Sequence, residues 1–593
     1  MLDPTVAYGC RLASHGKTIA KRERHHLLIG YSKLALVVIF FLLLWLRYAR
    51  DIVATPWLIA PVVAYAALAL AHEYTIRSKT HAETAAAFYR AGIARMEDRW
   101  SGMGATGERF RDPKHVYAED LDLFGNGCLF QLLSTARLPM GEKRLADWLL
   151  QPAALSTVIE RHGLVAELRE KLDLREDLAV IGEDLRVRLN PESLTKWCEA
   201  GPTIDSVALA VVAAFSALLA AGTFTYFLAT GLFGPFLIVL IFELIVNLRF
   251  RSRATAAISG IHCNAEGVVL FSKIAERLES EAFASPRLQQ LAKEFSQGVE
   301  PASRALRRFA RIVNWIDSRE GLVVRIIDLP TLYTIQVAGA AEKWRKRHGQ
   351  HMRRWIDAVA EMEALLSLSA YAFEHPADPF PEFVESAARF DGQELGHPLI
   401  PKAQCVTNTV SLDAGTRVLL VSGSNMSGKS TLLRTVGINS VLAMAGAPIR
   451  GTSLCLTPLS LGTRLRSVDS LQEGRSTFYT ELLRIRQVFD LVDSENRVLF
   501  LFDELLDGTN SRDRRIAAEN LVRALLEAGA IGIVTTHDLA LTEMTHSLGN
   551  RVHNAHFEDH VDDGQLRFDY KLRDGIVAKG NALLLMRLVG LKV

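Results

Sequence analysis

The spacing of apolar and polar positions changes character along the chain, and each change marks a region. Leu34 to Leu46 is an unbroken apolar run, ending in Phe40-Phe41-Leu42-Leu43-Leu44-Trp45-Leu46. Gly30, Tyr31 and Ser32 extend it, and Ile52 to Ala71 then adds twenty residues without a charge. About 20 apolar residues in a helix cross about 30 Å of hydrocarbon, so residues 34–72 are expected to form a transmembrane hairpin after a cytoplasmic tail at 1–33. A signal peptide fits poorly, because the run starts late and a second follows at once. A second uncharged stretch spans Ser206 to Phe242, with Glu243 interrupting only its last turn. It suits two spans turning near Gly231-Leu232-Phe233-Gly234-Pro235, giving a second hairpin over 206–247. The competing reading is a hairpin buried in a soluble core.

Between and after these runs the period changes. Residues 73–205 carry helix-spaced patterns such as Leu145-Ala146-Asp147-Trp148-Leu149-Leu150, and 248–380 predicts long amphipathic helices such as Arg304 to Trp315 and Ala340 to Leu366. Their charge runs read first as solvated helix faces. The proline-rich segment Glu374 to Pro381 is the clearest domain boundary. Beyond it, over 381–593, short buried strands (Val418–Val421, Val498–Phe502, Ile531–Thr535) alternate with helices (Ser430–Ala445, Ile516–Glu527). That alternation predicts an α/β domain, a parallel sheet with flanking helices, C-terminal to an α-helical core and lever region.

Composition narrows the class. The chain is 49% hydrophobic and 23% charged with a net charge of +2, which excludes a disordered chain and a strongly basic nucleic-acid binder. Six dispersed cysteines without a C-x-x-C pair make a zinc site or a disulfide framework a poor expectation. Arg11, Lys17, Lys21, Arg22, Arg24 and Lys33 before the first run, and Arg249, Arg251 and Arg253 after the last, put both flanks in the cytoplasm; Arg47 and Arg50 mildly oppose this. The expected location is therefore the inner (cytoplasmic) membrane, multi-pass, with the soluble parts inside.

The candidate chemistry lies in the α/β domain. Gly423-Ser424-Asn425-Met426-Ser427-Gly428-Lys429-Ser430, with Thr431 behind it, matches G-x-x-x-x-G-K-[ST] between a strand and a helix. Successive backbone N–H groups converge there on phosphate, Lys429 adds a positive charge at the β- and γ-phosphates, and Ser430 offers a hydroxyl to Mg²⁺. The strand Val498–Phe502 delivers Asp503 as a second Mg²⁺ ligand and Glu504 as the base for an attacking water. His537, after Val534-Thr535-Thr536, sits where it could sense the γ-phosphate. Bound ATP and Mg²⁺ and catalysis by Glu504, His537 and Lys429 are the expectation.

With these motifs in place, the domain resembles the ATPase domain of the MutS family. The Asn425-Met426 pair carries the likeness, although Ser424 and Ser427 stand where the family usually has Pro and Gly. Ser476-Thr477-Phe478-Tyr479-Thr480-Glu481 is similar to the signature that, in the family, reaches the partner's γ-phosphate. Asp503 to Asn510 resembles the Walker B strand end and the dimer-contact loop, and Tyr570 to Gly575 with the helix to Gly590 resembles the C-terminal closure. His397-Pro398 and Asn408 fall in the lead-in. Thr135, Met140 to Arg144 and Trp148 to Pro152 look like the start of the helical core, and residues 355–372 resemble the lever helix. The likeness covers about 390–593, 120–200 and 340–372, and no counterpart of the mismatch-reading Phe-x-Glu domain is present. It implies a homodimer with ATP held between the loop of one subunit and Ser476 and Thr477 of the other.

The expected function is thus a membrane-anchored MutS-like ATPase that couples ATP binding and hydrolysis to motion of helical levers, the second hairpin standing in place of a DNA clamp. A rival keeps the fold and acts on DNA in mismatch repair or recombination, using basic helices such as Arg304-Ala305-Leu306-Arg307-Arg308. Another is the ATPase half of an ABC-type transporter, which predicts a Leu-Ser-Gly-Gly-Gln signature and about six spans, and this chain has neither. A non-catalytic scaffold fits poorly with Lys429, Asp503 and Glu504 all present.

Overall fold

The computed structural model describes residues 3–52, 54–186, 188, 190–201, 203, 207–261, 263–424, 426–465, 477–493, 497–506, 511–562 and 565–577. The chain divides into two compact units. One comprises Met1–Ala94, Arg137–Met140 and Lys171–Ala360, and the other Arg95–Ala136, Gly141–Glu170 and Glu361–Val593. The region read from sequence as one helical stretch over 73–205 is therefore shared between them.

The first unit is helical throughout its described residues. Pro4–Arg50 is a single helix of 47 residues: Asp3 caps its start by accepting from Thr5 N, and Asp51 in the left-handed conformation (φ 51°) ends it. At 1.5 Å per residue it is about 70 Å long, more than twice a bilayer's hydrocarbon thickness. The segment read as a tail, 1–33, is thus helical from Pro4. It is held by polar contacts that apolar spans lack. Tyr89, on the returning helix Ile59–Met96, donates to Glu176 Oε2 at 2.6 Å. Arg11 meets Asp173 at 2.6 Å and His15 meets Glu176 at 3.0 Å. Both acids lie on the helix Leu172–Leu185.

The second hairpin is Val207–Thr230 and Gly234–Ser259, with Gly231 (φ 76°) at the turn and Pro235 in the first turn of the returning helix. Small buried residues, Ala213, Ser216 and Ala220, line one helix, and Glu243, Val246 and Asn247 are buried on the other. By length and composition alone, three described helices could cross a membrane: Pro4–Arg50, Thr55–Met96 and Val211–Thr230. Elsewhere in this unit an aromatic stack fixes the helices: Phe309 lies 5.4 Å from Trp197 and 4.3 Å from Trp344, and Arg345 sits over the Trp197 ring.

The second unit is built on a six-stranded sheet. In chain order its strands are β1 (Glu382–Phe383), β2 (Phe390–Leu395), β3 (Asn408–Leu412), β4 (Val418–Ser422), β5 (Ser453–Leu456), β6 (Ser460–Arg464), β7 (Val498–Phe502), β8 (Ile531–Thr536), β9 (Val552–Asp562) and β10 (Gln565–Asp574). The large sheet runs β10-β9-β4-β8-β7-β6, and β1-β5-β2-β3 form a smaller one. β4, β7 and β8 are buried at every position, as strands covered on both faces must be, which explains their unbroken apolar runs. The expectation of a parallel sheet holds for β9-β4-β8-β7-β6 and is corrected at the edge. There β10 folds back antiparallel on β9, and the smaller, mixed sheet was not expected. Both additions are made of half-buried strands with polar alternation, a pattern that short loops share.

Candidate nucleotide site

β4 delivers the phosphate loop and the helix Lys429–Ala445 carries it away. Gly428 has φ 106°, a left-handed geometry that a side chain resists. A Cβ there would also come within 3.1 Å of the Tyr570 ring. Lys429 is buried and folds back on its own loop, donating to Gly423 O at 2.8 Å and Ser424 O at 2.9 Å. Burial lowers its ammonium pKa, against the raising influence of Glu504 and Asp503. The hydroxyls of Ser424 and Ser427 are buried with no hydrogen-bond partner among the described residues. Buried polar groups are rarely left so, and at the two positions that depart from the family pattern they add donors facing a loop built to receive phosphate. Ser430 and Thr431 are exposed at the helix start, and Met426 projects outward at 86% exposure.

β7 ends in the two carboxylates. Asp503 Oδ1 accepts from Thr535 Oγ1, and the Glu504 N–H donates to the same hydroxyl at 3.1 Å, so β8 fixes the turn through Thr535. Glu504 is left-handed (φ 51°), as is Leu506 (φ 58°), a strained turn that holds the acid off the strand axis. His537 Nδ1 lies 3.5 Å from Glu504 Oε1, so the structure brings the proposed sensor and base together.

Lys429, Ser430, Asp503 and Glu504 line one cavity of about 530 Å³, together with His397, Asn408, Ser424, Met426, Gly428, Thr431 and Tyr570. That volume suits a nucleotide-sized ligand. Mg²⁺ needs oxygen donors, and the fit is sound: Ser430 and Asp503 face the same space. His537 lies outside the lining. Asn425, Ser476 and the loop 507–510 lie outside the described residues, as does the helix read to Gly590. Thr477 begins the helix Thr477–Asp493, its side chain undescribed.

Three features escaped the sequence reading. Arg464, at the end of β6, donates to the carbonyls of Asp503 and Glu504 and pairs with Glu481 at 3.2 Å, while Glu481 Oε1 accepts from Leu506 N at 2.8 Å. This buried brace ties the helix Thr477–Asp493 to the acidic turn. The second is the clamp between two segments the sequence reading named only separately: Asn408 accepts from Leu572 N and donates to Tyr570 O, pinning a β10 bulge where Tyr570 is left-handed (φ 53°). The third is Asp120, which accepts from Thr463 Oγ1 at 2.7 Å and Leu465 N at 3.1 Å, anchoring a distant loop to β6. None has a local motif, since each depends on a pairing over 17 to 345 residues. His397 is buried beside the cavity; desolvation pushes its imidazole down to about 4, with Arg434 adding to the effect and Asp122 opposing it.

The comparisons with known proteins agree with this geometry. Residues 419–592 match the family model of MutS domain V. Over these residues the chain is similar to MutS domain V. The chain is 32% identical over 211 residues to the Endonuclease MutS2 of Thermus thermophilus, covering 34% of this chain and 26% of that protein. It is 29% identical over 256 residues to the DNA mismatch repair protein MutS of Streptococcus thermophilus, and 29% identical over 249 residues to that of Streptococcus pneumoniae. Each of these two matches covers 41% of this chain and 29% of the relative. The matched part thus spans less than a third of these curated relatives. MutS domain V has the P-loop fold, and the loop, acidic turn and cavity described above all line up within the matched residues or beside them.

Proposed function

We propose that this chain is a membrane-anchored, Mg²⁺-dependent ATPase that works as a homodimer and turns ATP binding and hydrolysis into movement of its long helices. The observation that carries the reading is the convergence of Lys429, Ser430, Asp503 and Glu504 on one cavity. Bound there, ATP draws the Lys429 ammonium off the loop carbonyls that it now contacts. Ser430 and Asp503 would hold Mg²⁺, which supplies charge neutralisation at the β- and γ-phosphates. Glu504 orients and deprotonates the attacking water, with His537 beside it to steady the carboxylate. Tyr570, whose ring packs beside Gly428 and lines the cavity, offers an aromatic surface to the adenine base. Anchoring rests on the long exposed apolar helices. Dimerisation rests on the family likeness and on the exposed Met426, Tyr479 and Leu483 near the loop and the signature helix.

A second reading, an ATPase that acts on DNA, is favoured by the names of the relatives, an endonuclease and mismatch repair proteins. One experiment separates them: ATP turnover by the detergent-solubilised full chain, with and without duplex DNA, beside Glu504→Gln. The expected result is turnover independent of DNA, abolished in the variant while ATP binding persists. Turnover unchanged in Glu504→Gln removes the catalytic assignment, and strong DNA stimulation favours the second reading.

A further inference from the structure

The basic run around Arg304 has no role in the ATPase reading, and its surroundings point to a partner. The helix Ala302–Ser318 buries Leu306, Phe309, Val313 and Ile316 and turns Arg304, Arg311 and Trp315 outward. Arg307 and Arg308 are engaged by Glu276 and Glu300. The next helix, Leu322–Thr331, packs against both helices of the second hairpin. Its outer face nevertheless stays open, with Leu322 75% and Ile326 68% exposed beside an exposed Arg325. Pro330 and left-handed Leu332 (φ 48°) stop it, and the helix Tyr333–Glu374 starts at once.

Two contacts fix the level of this junction. Gln336 Nε2 reaches Ala213 O at 3.4 Å, near the Val207 end of the hairpin, and Tyr333 donates to Trp315 O at 3.0 Å. The Val207 end is the end that sequence reading puts in the cytoplasm, and the returning helix exposes Arg249, Arg251 and Arg253 on its way out. Residues 304–325 hold six arginines against two acids, Asp317 and Glu320. A partner must therefore be apolar towards Leu322 and Ile326 and anionic towards the arginines. Nucleic acid offers only the second property. The cytoplasmic face of a bilayer offers both, with tryptophan favoured at its headgroup level.

We propose that Trp315, Leu322 and Ile326, flanked by Arg304, Arg311 and Arg325, form an interfacial contact with anionic phospholipid headgroups at the foot of the helix Tyr333–Glu374. The proposal rests on the reading that the hairpins cross a bilayer. It places the start of that long helix on the membrane surface, where lipid charge can act on it.

The test uses the full-length protein in nanodiscs carrying dibrominated lipids, which quench tryptophan on contact. Wild type is compared with Trp315→Phe, with bromine placed on phosphatidylglycerol or on phosphatidylcholine. The expected result is a quenched component lost in Trp315→Phe and larger with the anionic lipid. Each of Arg304→Gln, Arg311→Gln and Arg325→Gln should lower that preference by up to about fivefold. Quenching identical in wild type and Trp315→Phe, with Trp45 and Trp57 of the first hairpin still quenched, overturns the proposal and leaves the membrane reading standing. No quenching of any tryptophan overturns the membrane reading and this proposal with it. Arginine variants that weaken binding of a short DNA duplex without changing lipid preference assign the surface to nucleic acid and overturn it as well.

Discussion

The two units use the same apolar residue types to opposite ends. In β4, Val418, Leu420 and Val421 are at most 1% exposed; in the first hairpin, Leu34, Val38 and Phe41 are more than 60% exposed. Polar chemistry divides in the same way. The second unit fastens its acidic turn with donors: Thr535 donates to the Asp503 carboxylate, and Arg464 to the main-chain carbonyls of Asp503 and Glu504. Among the described residues of the first hairpin, polar fastening reaches from Arg11, His15 and Tyr89 through Glu23 and Lys79 to Lys33 and His72 at 2.8 Å, and the apolar runs lie beyond it. Burial in a sheet core and exposure to lipid both select valine, leucine and phenylalanine. Length and flanking charge separate the two, since strands end after five residues and spans continue for about twenty.

The largest expected effects lie in the acidic turn and loop. Glu504→Gln should lower ATP turnover on the order of 10²–10⁴-fold with binding retained. Lys429→Ala should instead abolish binding as well, read by nucleotide fluorescence titration. The corresponding loss in the first unit, Glu243→Gln, should leave turnover of the solubilised protein within about twofold, because Glu243 belongs to the hairpin.

Next comes the buried brace. Arg464→Ala should destabilise the second unit by about 3–5 kcal/mol, since Glu481 is left charged and enclosed. Arg464→Met with Glu481→Leu should recover much of that loss in thermal melts. Equal losses for the single and double variants would show that the pair is not the source.

The core comparison can be broken directly. Leu420→Ala should cost about 2–5 kcal/mol, whereas Leu42→Ala, at a site 52% exposed, should cost less than about 0.5 kcal/mol in the melting of the solubilised protein. Similar costs would mean that the hairpin face is covered by protein.

A further effect lies in pH and is felt only in acid. His397 is held neutral down to about 4, and so is His162, also by burial. The unfolded chain protonates both near the ordinary value of about 6.5, so between those values it binds more protons than the native state and stability falls as pH drops. The loss for His397 reaches about 3 kcal/mol at most. His397→Asn should flatten the pH dependence of the melting temperature over that window, and an unchanged slope would assign it to other groups.

The sequence by itself determined what short-range pattern can encode. The strands that end at Ser422 and Phe502 follow from apolar runs of four and five, and the helix after Lys429 from the phosphate loop. The turn at Gly231–Pro235 and the long apolar helices were legible for the same reason. Asp503 and Glu504 were legible as candidates because two acids close a buried strand of the sheet that carries the phosphate loop, and both line the cavity beside it. Only the tertiary structure decided the partners of these groups. Thr535 reads as an ordinary strand threonine until β8 sets it beside β7, and Glu481 as one more helix acid until Arg464 meets it. The antiparallel β10 and the Asn408 clamp that seats Tyr570 bring together residues 162 apart. The physical reason is the same throughout: periodicity and motifs report a residue's local backbone and burial, whereas hydrogen bonds and ion pairs belong to neighbours that only the folded chain supplies.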